Sequence, residues 1–564
     1  MTTTSVPPTA WTTGTTEVFK TGTWRASLPR HISAPSPCHA ACPINGDIAQ
    51  WIDHARQHAP RAAWEILVRN NPFPAVAGRV CHHPCEAACN RSGFDSALAI
   101  CRLERHIGDL ALAEGWKFPP PERARSERVA IVGGGPSGLS AAYHLRRRGY
   151  AVTLFESRSH LGGLMRDGIP AYRLSRAVLD AEIERILELG IEVRLDAPLD
   201  GPAALADLRQ RFDAVYLAIG AGRPKRLAAL DYEKPWAMDG AEWLARANAG
   251  APPALGPRLV VIGGGSAAID VARSARRRGH DVTLLSLERA AEMPAQHEEV
   301  EEAIEEGVRL RDGATLRQVV EGPGGALALE CQGVAFTPGA ERGDFRVEPI
   351  AGSEFRLEAD AVMSSIGQDP DLSVLGKELQ ARGSLLQVDA TQATSAARVY
   401  AGGDVASAAR FITEAIGMGK RAALAIDEAL AGANREAGQP VLAGSRLHGA
   451  GAPSERPVPL DAIATFYYPS LGRPAERRLA IAERLASDAE VQLGLAAELA
   501  LAEAGRCFSC GTCISCDNCY NYCPDLAVKR VADGYEVDGD YCKGCGMCVR
   551  ECPTGSMEMV EELR

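Results

Sequence analysis

Long hydrophobic runs are missing from this chain of 564 residues. No segment approaches the roughly 18 consecutive apolar residues that mark a membrane-spanning helix, so no membrane span is expected. Residues 1–24 are rich in threonine and have neither a basic start nor an apolar stretch, which argues against a signal peptide. Basic residues are fewer than acidic residues, with 61 Lys and Arg and 72 Asp and Glu, which gives a net charge of −11. Nucleic acid and anionic membranes are therefore not expected as partners.

Cysteine is nearly missing from the long middle of the chain, where Cys331 stands alone between Cys101 and Cys507. The other sixteen of the 17 cysteines form one group near each end. The carboxy-terminal group contains the run C-x2-C-x2-C-x3-C-P twice within the last 60 residues. In such a run three closely spaced thiolates bind one [4Fe-4S] cluster and the fourth binds the neighbouring cluster. The sequence therefore predicts a two-cluster ferredoxin module that moves single electrons.

The two predicted ligand sets cross between the runs. One set is Cys513, Cys516, Cys519 and Cys552, and the other is Cys542, Cys545, Cys548 and Cys523. Structural zinc is the alternative, but it favours paired C-x2-C knuckles or Cys and His together. Disulfides are less favoured still, because iron-binding thiolates require a reducing compartment, which predicts a cytoplasmic location.

A glycine-rich turn follows an apolar run at residues 129–132. Its pattern is Gly133-x-Gly135-x-x-Gly138, then a helical stretch, a second apolar run and finally Glu156. The glycines let the backbone approach a pyrophosphate at a helix amino terminus, and the acid can bind a ribose hydroxyl. This order of features predicts a dinucleotide-binding fold.

The pattern returns as Gly263-x-Gly265-x-x-Ala268, with Glu288 in the place of the acid. Two complete fingerprints predict two bound dinucleotides, and a decayed duplicate is the less favoured alternative. No C-x2-C or C-x4-C pair lies near either fingerprint, which argues against a dithiol reductase. No general-base constellation is apparent either, so no catalytic side chain is predicted.

Residues 36–432 resemble the small subunit of glutamate synthase and the matching part of dihydropyrimidine dehydrogenase. The resemblance lies in specific motifs: GRVCHHPCEAAC (78–89), IVGGGPSG (131–138), HLGGLMRDGIPAYRL (160–174), LAIGAG (217–222), VVIGGGSAAIDVAR (260–273), EMPA (292–295), SSIGQDP (364–370) and VYAGGDVA (399–406). In that family the first fold holds FAD, and the second fold is inserted into it and holds NAD(P)H. Dihydropyrimidine dehydrogenase continues into a substrate barrel, for which residues 433–500 leave too little chain.

The resemblance implies roles for individual residues. Glu156 is expected at the adenosine ribose, Arg173 at FAD, and Asp404, after Gly403, at the ribityl and phosphate part of FAD. The other implied cofactor-binding positions are Pro136, Ser137, Gly163, Leu164, Gly220, Ser266, Gly367 and Ile412.

NADH is predicted in preference to NADPH. Family members that use NADPH carry two arginines where this chain has Leu287 and Glu288. A carboxylate there binds the free ribose diol and repels a 2′-phosphate. Arg289 is adjacent and is either a partial phosphate ligand or a solvated surface residue.

The amino-terminal cysteines also have cluster-like spacings. They are Cys38, Cys42, Cys81, Cys85, Cys89 and Cys101, with Glu104 as a further candidate ligand. His82 and His83 are expected to lie near the ligands or in solvent and not to bind metal. The family holds two [4Fe-4S] clusters here with an upstream C-x2-C pair that this chain lacks.

Cys507 and Cys510 exceed the eight cysteines that the ferredoxin module needs, and EAGRCFSC resembles the missing pair. We hypothesise that they join Cys38 and Cys89 in one cluster. Cys42, Cys81 and Cys85 then hold another, completed by Cys101 or Glu104. The alternative is three clusters or two, with Cys507 and Cys510 as spare thiols.

An α/β fold with two nested Rossmann-like domains, a helical iron–sulfur domain before them and a ferredoxin domain after them is predicted. The predicted boundaries are 1–35 for an arm, 36–124 for the iron–sulfur domain, 125–255 and 361–432 for the FAD domain, 256–360 for the NAD(H) domain, 433–500 for a connector with a helix near 476–505, and 501–564 for the ferredoxin domain.

The favoured function is a flavin and iron–sulfur subunit that exchanges electrons between NAD(H) and a partner oxidoreductase. The partner is expected to be an enzyme such as a 2-oxoacid oxidoreductase or a low-potential reductase. The alternatives are a glutamate synthase small subunit, a flavin-based bifurcating NAD(P)H:ferredoxin oxidoreductase subunit, and a non-catalytic carrier subunit.

Overall fold

The computed structural model describes residues 20–121, 123–339, 344–431, 452–453, 455–532 and 534–562. The helices are α1 Pro37–Ala41, α2 Ile48–Arg56, α3 Pro60–Leu67, α4 Pro74–Val80, α5 Pro84–Ala87, α6 Ile100–Ala113, α7 Pro136–Arg147, α8 Leu164–Asp167, α9 Arg176–Leu187, α10 Pro202–Arg211, α11 Gly240–Asn248, α12 Ser266–Arg277, α13 His297–Glu305, α14 Ile412–Ala431, α15 Ile481–Ala486, α16 Ala497–Gly505, α17 Asn518–Asn521 and α18 Met547–Arg550.

The strands are β1 Ser27–Ser33, β2 Arg128–Val132, β3 Ala151–Phe155, β4 Glu192–Arg194, β5 Ala214–Leu217, β6 Arg223–Pro224, β7 Ala237–Asp239, β8 Arg258–Ile262, β9 Asp281–Leu285, β10 Arg309–Arg311, β11 Ala314–Glu321, β12 Leu327–Pro338, β13 Phe345–Ala359, β14 Ala361–Ser364, β15 Gln368–Asp369, β16 Ala381–Arg382, β17 Leu385–Leu386, β18 Val399–Ala401, β19 Ala452–Pro453, β20 Val528–Val531, β21 Gly534–Val537 and β22 Met557–Glu561. None of the described helices is long and apolar enough to cross a membrane.

The helices α1–α6 form the amino-terminal domain. Four of them, α1, α3, α4 and α5, begin with proline, whose fixed φ suits a first helical turn and whose missing N–H is not needed there. Their apolar sides pack around Trp51, Trp64 and Phe73, which are fully buried. Short proline-started helices thus bring several loops to one side of a common core.

Two parallel sheets follow, with strand orders β18-β5-β2-β3-β4 and β10-β9-β8-β14-β7. Their central strands are buried along nearly their whole length, as parallel strands covered on both faces must be. The chain leaves the first sheet after β5 and returns to it only at β18. The predicted class, two nested Rossmann-like folds between iron–sulfur domains, is confirmed.

The inserted unit is larger than the boundaries at 256 and 360 imply. β7 and β14 pair in parallel within its sheet, with Val362 opposite Ala237. Both strands are short, and they join this sheet because β14 also pairs with β8. The antiparallel sheet β11-β12-β13 also lies between the two ends of this unit.

The predicted amino-terminal arm contributes a strand to the carboxy-terminal module. β1 pairs antiparallel with β22, from Ser27 opposite Glu561 to His31 opposite Met557. Arg25 adds an ion pair with Glu562 at 2.6 Å. The pairing covers the edge of β22, which would otherwise expose unpaired backbone groups. Residues 20–33 therefore belong with the ferredoxin domain and not with a separate arm.

The connector differs from the single helix predicted near 476–505. It forms α15 and α16 with an extended segment, residues 487–496, between them. Glu490 in this segment accepts hydrogen bonds from Arg79 at 2.7 Å and Arg105 at 2.8 Å. Most of the Pro/Gly-rich part predicted at 440–459 lies outside the described residues.

Glu182 on α9 joins the amino-terminal domain to the first Rossmann-like domain. Its carboxylate is fully buried and accepts from the backbone N–H groups of Ala75 at 3.1 Å and Val76 at 3.0 Å, in the first turn of α4. Burial raises the pKa of Glu182 to about 7. The carboxylate thus satisfies two helix donors that water cannot reach.

We expect Glu182→Ala to lower the free energy of unfolding by about 2–4 kcal/mol, because two buried donors lose their acceptor. Thermal and urea unfolding measure this loss. Glu184→Ala on the exposed side of the same helix is the matched control and should stay near the parent value. Equal effects of the two substitutions would contradict the assigned role of Glu182.

Candidate functional site: two nucleotide turns and four cysteine groups

The first glycine turn connects β2 to α7. Gly133 has φ +109°, and a Cβ there would lie 2.2 Å from the carbonyl oxygen of Ala218. A Cβ at Gly138 would lie 1.9 Å from the carbonyl oxygen of Gly133. Both positions therefore require glycine if α7 is to approach the strand end closely. The backbone N–H groups of the first turn of α7 are then free to meet a phosphate.

Glu156 lies at the end of β3, as the sequence predicts. Its buried carboxylate accepts from the N–H of Gly134 at 2.7 Å, the N–H of Arg158 at 2.9 Å and the hydroxyl of Ser157 at 3.0 Å. The acid thus fixes the shape of the glycine turn and keeps further lone pairs for a ribose hydroxyl.

Gly163 and Gly403 lie against the same turn. A Cβ at Gly163 would be 3.0 Å from the Cα of Gly135, and a Cβ at Gly403 would be 3.0 Å from the Cβ of Ser137. Both have positive φ, +52° and +78°. The small residues keep open a narrow groove for a flat, extended ligand.

The remaining predicted positions of this groove lie on separate elements. Burial raises the pKa of Asp404, and Arg410, 4.0 Å from its carboxylate, opposes that shift. Leu164 begins α8, Ile412 begins α14, and Gly220 follows β5 with φ +69°. The first fold thus gathers these positions around the carboxyl end of its sheet.

The second turn connects β8 to α12. A Cβ at Gly263 would lie 2.3 Å from the carbonyl oxygen of Ser365, and one at Gly264 would lie 2.3 Å from the carboxylate of Glu288. Burial raises the pKa of Glu288. Its carboxylate accepts no hydrogen bond from any other residue that the structure describes, so it is available to a ligand.

The neighbours of Glu288 have different surroundings. Arg289 is exposed and lies 3.7 Å from Asp312. Gly265 has open space beside its Cα, whereas Ala268 is buried in α12. Ser266 lies at the start of α12 and interacts with Glu299, and Gly367 accepts a hydrogen bond from the N–H of Lys225 at 3.0 Å.

Arg173, expected at FAD, lies between the first fold and the inserted fold. Its guanidinium donates to Asp270 on α12 at 2.6 Å and pairs with Glu299 on α13. These two carboxylates overcome burial and raise the pKa of Arg173. A direct contact with FAD therefore stays a prediction, while a contact between the domains is present.

The first cysteine group contains Cys42, Cys81 and Cys85, close to the first fold. Burial raises the pKa of Cys42 to about 11 and that of Cys81 to about 12, and neighbouring negative charge adds to both shifts. Glu104 is among these neighbours, and burial raises its pKa to about 8. Cys101 instead points its thiol at the carbonyl oxygens of Gly78 and Ala77, at 3.3 and 3.6 Å.

The second group contains Cys38, Cys89, Cys507 and Cys510, which line one cavity. Cys38 belongs to α1 and Cys89 follows α5, whereas Cys507 and Cys510 follow α16. The structure therefore brings together cysteines from opposite ends of the chain, in the combination hypothesised above.

The last two groups lie in the ferredoxin module. Cys513, Cys516, Cys519 and Cys552 line one cavity. Cys523, Cys542 and Cys545 are neighbours of Cys548, whose pKa is raised to about 12 by burial and then by these neighbours. The cysteines of each predicted ligand set, which combines residues from both runs, therefore lie together.

Several residues outside the predicted ligand sets contact these cysteine groups. Thr413 lies 3.7 Å from the sulfur of Cys81, and Gln296 donates to the Cys81 carbonyl oxygen at 3.2 Å. His82 packs against Phe411 with ring centroids 4.0 Å apart and the ring planes tilted by 47°. Lys420, fully enclosed, donates to Asn70 at 2.7 Å and places a cation near Cys42. Thr413, next to Ile412, and His82, next to Cys81, lie beside predicted site residues.

The donor sets suit iron–sulfur clusters. Buried thiols such as these remain protonated unless a cation replaces their protons. Backbone N–H groups also point at the sulfurs of Cys81, Cys523, Cys542 and Cys552, at 3.2–3.4 Å. Such bonds stabilise negative charge on cluster sulfur and tune its reduction potential.

We expect Gly138→Ala to abolish tight flavin binding, because its methyl group would push α7 away from the turn at Gly133. The flavin content of the purified protein, measured by absorbance after denaturation, tests this expectation. Gly472→Ala, at a position with open space beside the Cα, is the matched control and should keep the parent flavin content. Full flavin content in Gly138→Ala would contradict the proposed role of this glycine turn in flavin binding.

Three family models match the chain. Residues 127–419 match the pyridine nucleotide-disulphide oxidoreductases, residues 31–116 match dihydropyrimidine dehydrogenase domain II with its 4Fe-4S cluster, and residues 535–558 match a 4Fe-4S binding domain. Among solved structures, FprA of Mycobacterium tuberculosis in complex with NADPH aligns with a TM-score of 0.46 and 17% identity, over 56% of this chain and 87% of FprA.

Characterised relatives share much of the chain. The NADP(+)-dependent formate dehydrogenase subunit beta of Moorella thermoacetica is 34% identical over 84% of this chain and 70% of its own. The NADPH-Fe(3+) oxidoreductase subunit beta of Geobacter sulfurreducens is 37% identical over 61% of this chain, which spans about half (52%) of that relative. The NAD-dependent dihydropyrimidine dehydrogenase subunit PreT of Escherichia coli is 31% identical, over 71% and 92%. The chain belongs to the pyridine nucleotide-disulphide oxidoreductase family.

Proposed function

We propose that this chain exchanges electrons between NADH and a partner oxidoreductase, through FAD and iron–sulfur clusters. Oxidation of one NADH releases one proton and two electrons, so two one-electron acceptors are reduced for each nicotinamide. Bound FAD would supply this change between two-electron and one-electron chemistry. The residues of the chain hold, orient and insulate the groups that carry the electrons.

The observation that carries the proposal is the contact between α14 and the first cysteine group. Ile412, a predicted FAD contact, begins α14, and the next residue, Thr413, lies 3.7 Å from the sulfur of Cys81. Two adjacent residues of α14 therefore join the predicted flavin site to the first cysteine group. A rigid connection of this kind keeps two redox groups at a fixed, short distance.

The nearest group is proposed to use Cys42, Cys81, Cys85 and Glu104. Glu104 is a neighbour of both Cys42 and Cys81, and Asn71 orients its carboxyl group with a hydrogen bond of 2.7 Å. The thiol of Cys101 is directed at backbone carbonyl groups instead. This difference favours the carboxylate as the fourth ligand.

NADH is proposed as the nicotinamide substrate, because the unpaired carboxylate of Glu288 suits a ribose diol and repels a phosphate. Arg289 supports the alternative, NADPH, as do the names of the Moorella and Geobacter relatives. The partner is proposed to be a larger oxidoreductase, such as one acting on 2-oxoacids, with a glutamate synthase or a bifurcating complex as alternatives.

Anaerobic addition of NADH to the purified protein, with NADPH in a parallel sample, tests the proposal. We expect NADH to bleach the flavin absorbance within seconds and more completely than NADPH. Electron paramagnetic resonance of the same samples then shows which clusters are reduced. A protein with full flavin content that responds to neither nucleotide would refute the proposed function.

We expect Glu288→Ala to raise the KM for NADH about 10- to 100-fold, because a hydrogen bond to a charged group contributes roughly 1.5–3 kcal/mol. Steady-state reduction of a viologen dye measures the change. Glu292→Ala, at an exposed position four residues later, is the control and should leave KM unchanged. A KM for NADPH that falls in Glu288→Ala would support repulsion of the 2′-phosphate by the native carboxylate.

A further inference from the structure

We infer that Cys38, Cys89, Cys507 and Cys510 bind one [4Fe-4S] cluster whose ligands come from both ends of the chain, and that this cluster connects the flavin half to the ferredoxin module. Binding of the cluster stands on the geometry alone. Its role in electron transfer rests on the function proposed above.

The cavity is built to hold a buried inorganic group. Its four thiols are accompanied by apolar side chains, which include Ile48, Ile52, Leu98, Ile100 and Phe508. The four thiols therefore face an enclosed, largely apolar space.

Polar groups also point at the sulfurs of this cavity. The N–H of Ser509 approaches the sulfur of Cys507 at 3.4 Å, and the side-chain amide of Asn90 donates to the sulfur of Cys510 at 3.4 Å. The Ser36 hydroxyl lies 3.1 Å from the sulfur of Cys38. The same N–H···S pattern occurs at Cys542 and Cys552 of the ferredoxin module. Sulfur acceptors of this kind are typical of cluster ligands.

Buried ion pairs fix the returning segment in place. Arg506, directly before Cys507, donates to the carbonyl oxygen of Ser96 at 2.6 Å and pairs with Asp95 at 3.1 Å. Glu503 in turn accepts from the backbone N–H of Ala99 at 2.6 Å. The turn at Cys507–Cys510 is therefore held against the amino-terminal domain by these contacts.

A single metal ion fits this arrangement less well. The four thiols surround a cavity, and no three His, Cys, Asp or Glu side chains in the described parts of the chain meet around a single-ion site. A four-iron cluster takes four thiolates spread around its surface. The number of thiols around this cavity therefore matches the number of ligands that a cluster takes.

The cavity lies between the other cysteine groups. Cys38 is one helical turn from Cys42, and Cys89 is one turn from Cys85, so the first two groups share α1 and α5. Cys510 precedes Cys513 by only three residues. Tyr468 connects the turn at Cys507–Cys510 to the end of the second ferredoxin run. Its hydroxyl donates to the carbonyl oxygens of Phe508 at 3.2 Å and Pro553 at 3.0 Å. Single electrons can therefore pass from group to group with no bond made or broken.

The double substitution Cys507→Ala and Cys510→Ala tests this inference in the full-length protein. We expect a loss of about four iron and four sulfide per chain, with NADH still bleaching the flavin. The ferredoxin clusters should then be reduced by dithionite but not by NADH. Cys331→Ala, which removes a buried thiol in β12, is the control and should retain all iron. Unchanged iron and sulfide in the double variant would overturn the inference.

Asn90→Ala provides a second test if the double variant fails to fold. Removal of one N–H···S bond should shift the midpoint potential and the resonance spectrum of one cluster without loss of iron. Spectra identical to those of the parent protein at every potential would overturn the assignment. Failure of NADH to bleach the parent flavin would refute the proposed function but leave the iron comparison valid.

Discussion

Buried polar contacts hold the two ends of this chain together. Arg506 pairs with Asp95 and Glu503, and β1 pairs with β22 along five residues of each strand. Electron transfer falls steeply with distance, so a chain that carries several redox groups needs fixed spacings between them. A ferredoxin module on a free linker would not provide them. The interlocked ends convert two modules that are far apart in sequence into one rigid unit.

Further buried charges connect parts of the fold. Arg273 pairs with Glu302 and Glu306 inside the inserted domain at 2.8 and 2.7 Å. Arg105 and Arg79 of the amino-terminal domain share Glu490 of the connector, and Arg173 of the first Rossmann-like domain pairs with Asp270 and Glu299 of the inserted domain. Buried ion pairs recover little net stability, because desolvation of the charges offsets their attraction. Their main effect is to define one relative position of the parts. Arg173 is one of these charges, which explains why it contacts carboxylates of the inserted domain.

The sequence predicts the fold class and the two glycine turns well, because fixed spacings around a phosphate or a cluster leave little freedom. It predicts the element boundaries less well. β1 has the sequence SLPRHIS, with a proline and no clear alternation, and only its partner β22 makes it a strand. The segment around Glu490 is helical by composition, yet its ion pairs with the amino-terminal domain keep it extended. Local pattern cannot report contacts between residues 400 positions apart.

The two copies of the nucleotide fingerprint differ in what their acids already bind. Glu156 accepts three hydrogen bonds from its own turn, so this turn has its binding shape before any ligand arrives. A preformed site loses little entropy on binding and suits a cofactor that stays in place. Glu288 lies against Gly264 and accepts no hydrogen bond from another described residue, so its carboxylate keeps lone pairs for a ligand. The same motif thus suits a resident dinucleotide in the first fold and an exchanging one in the second.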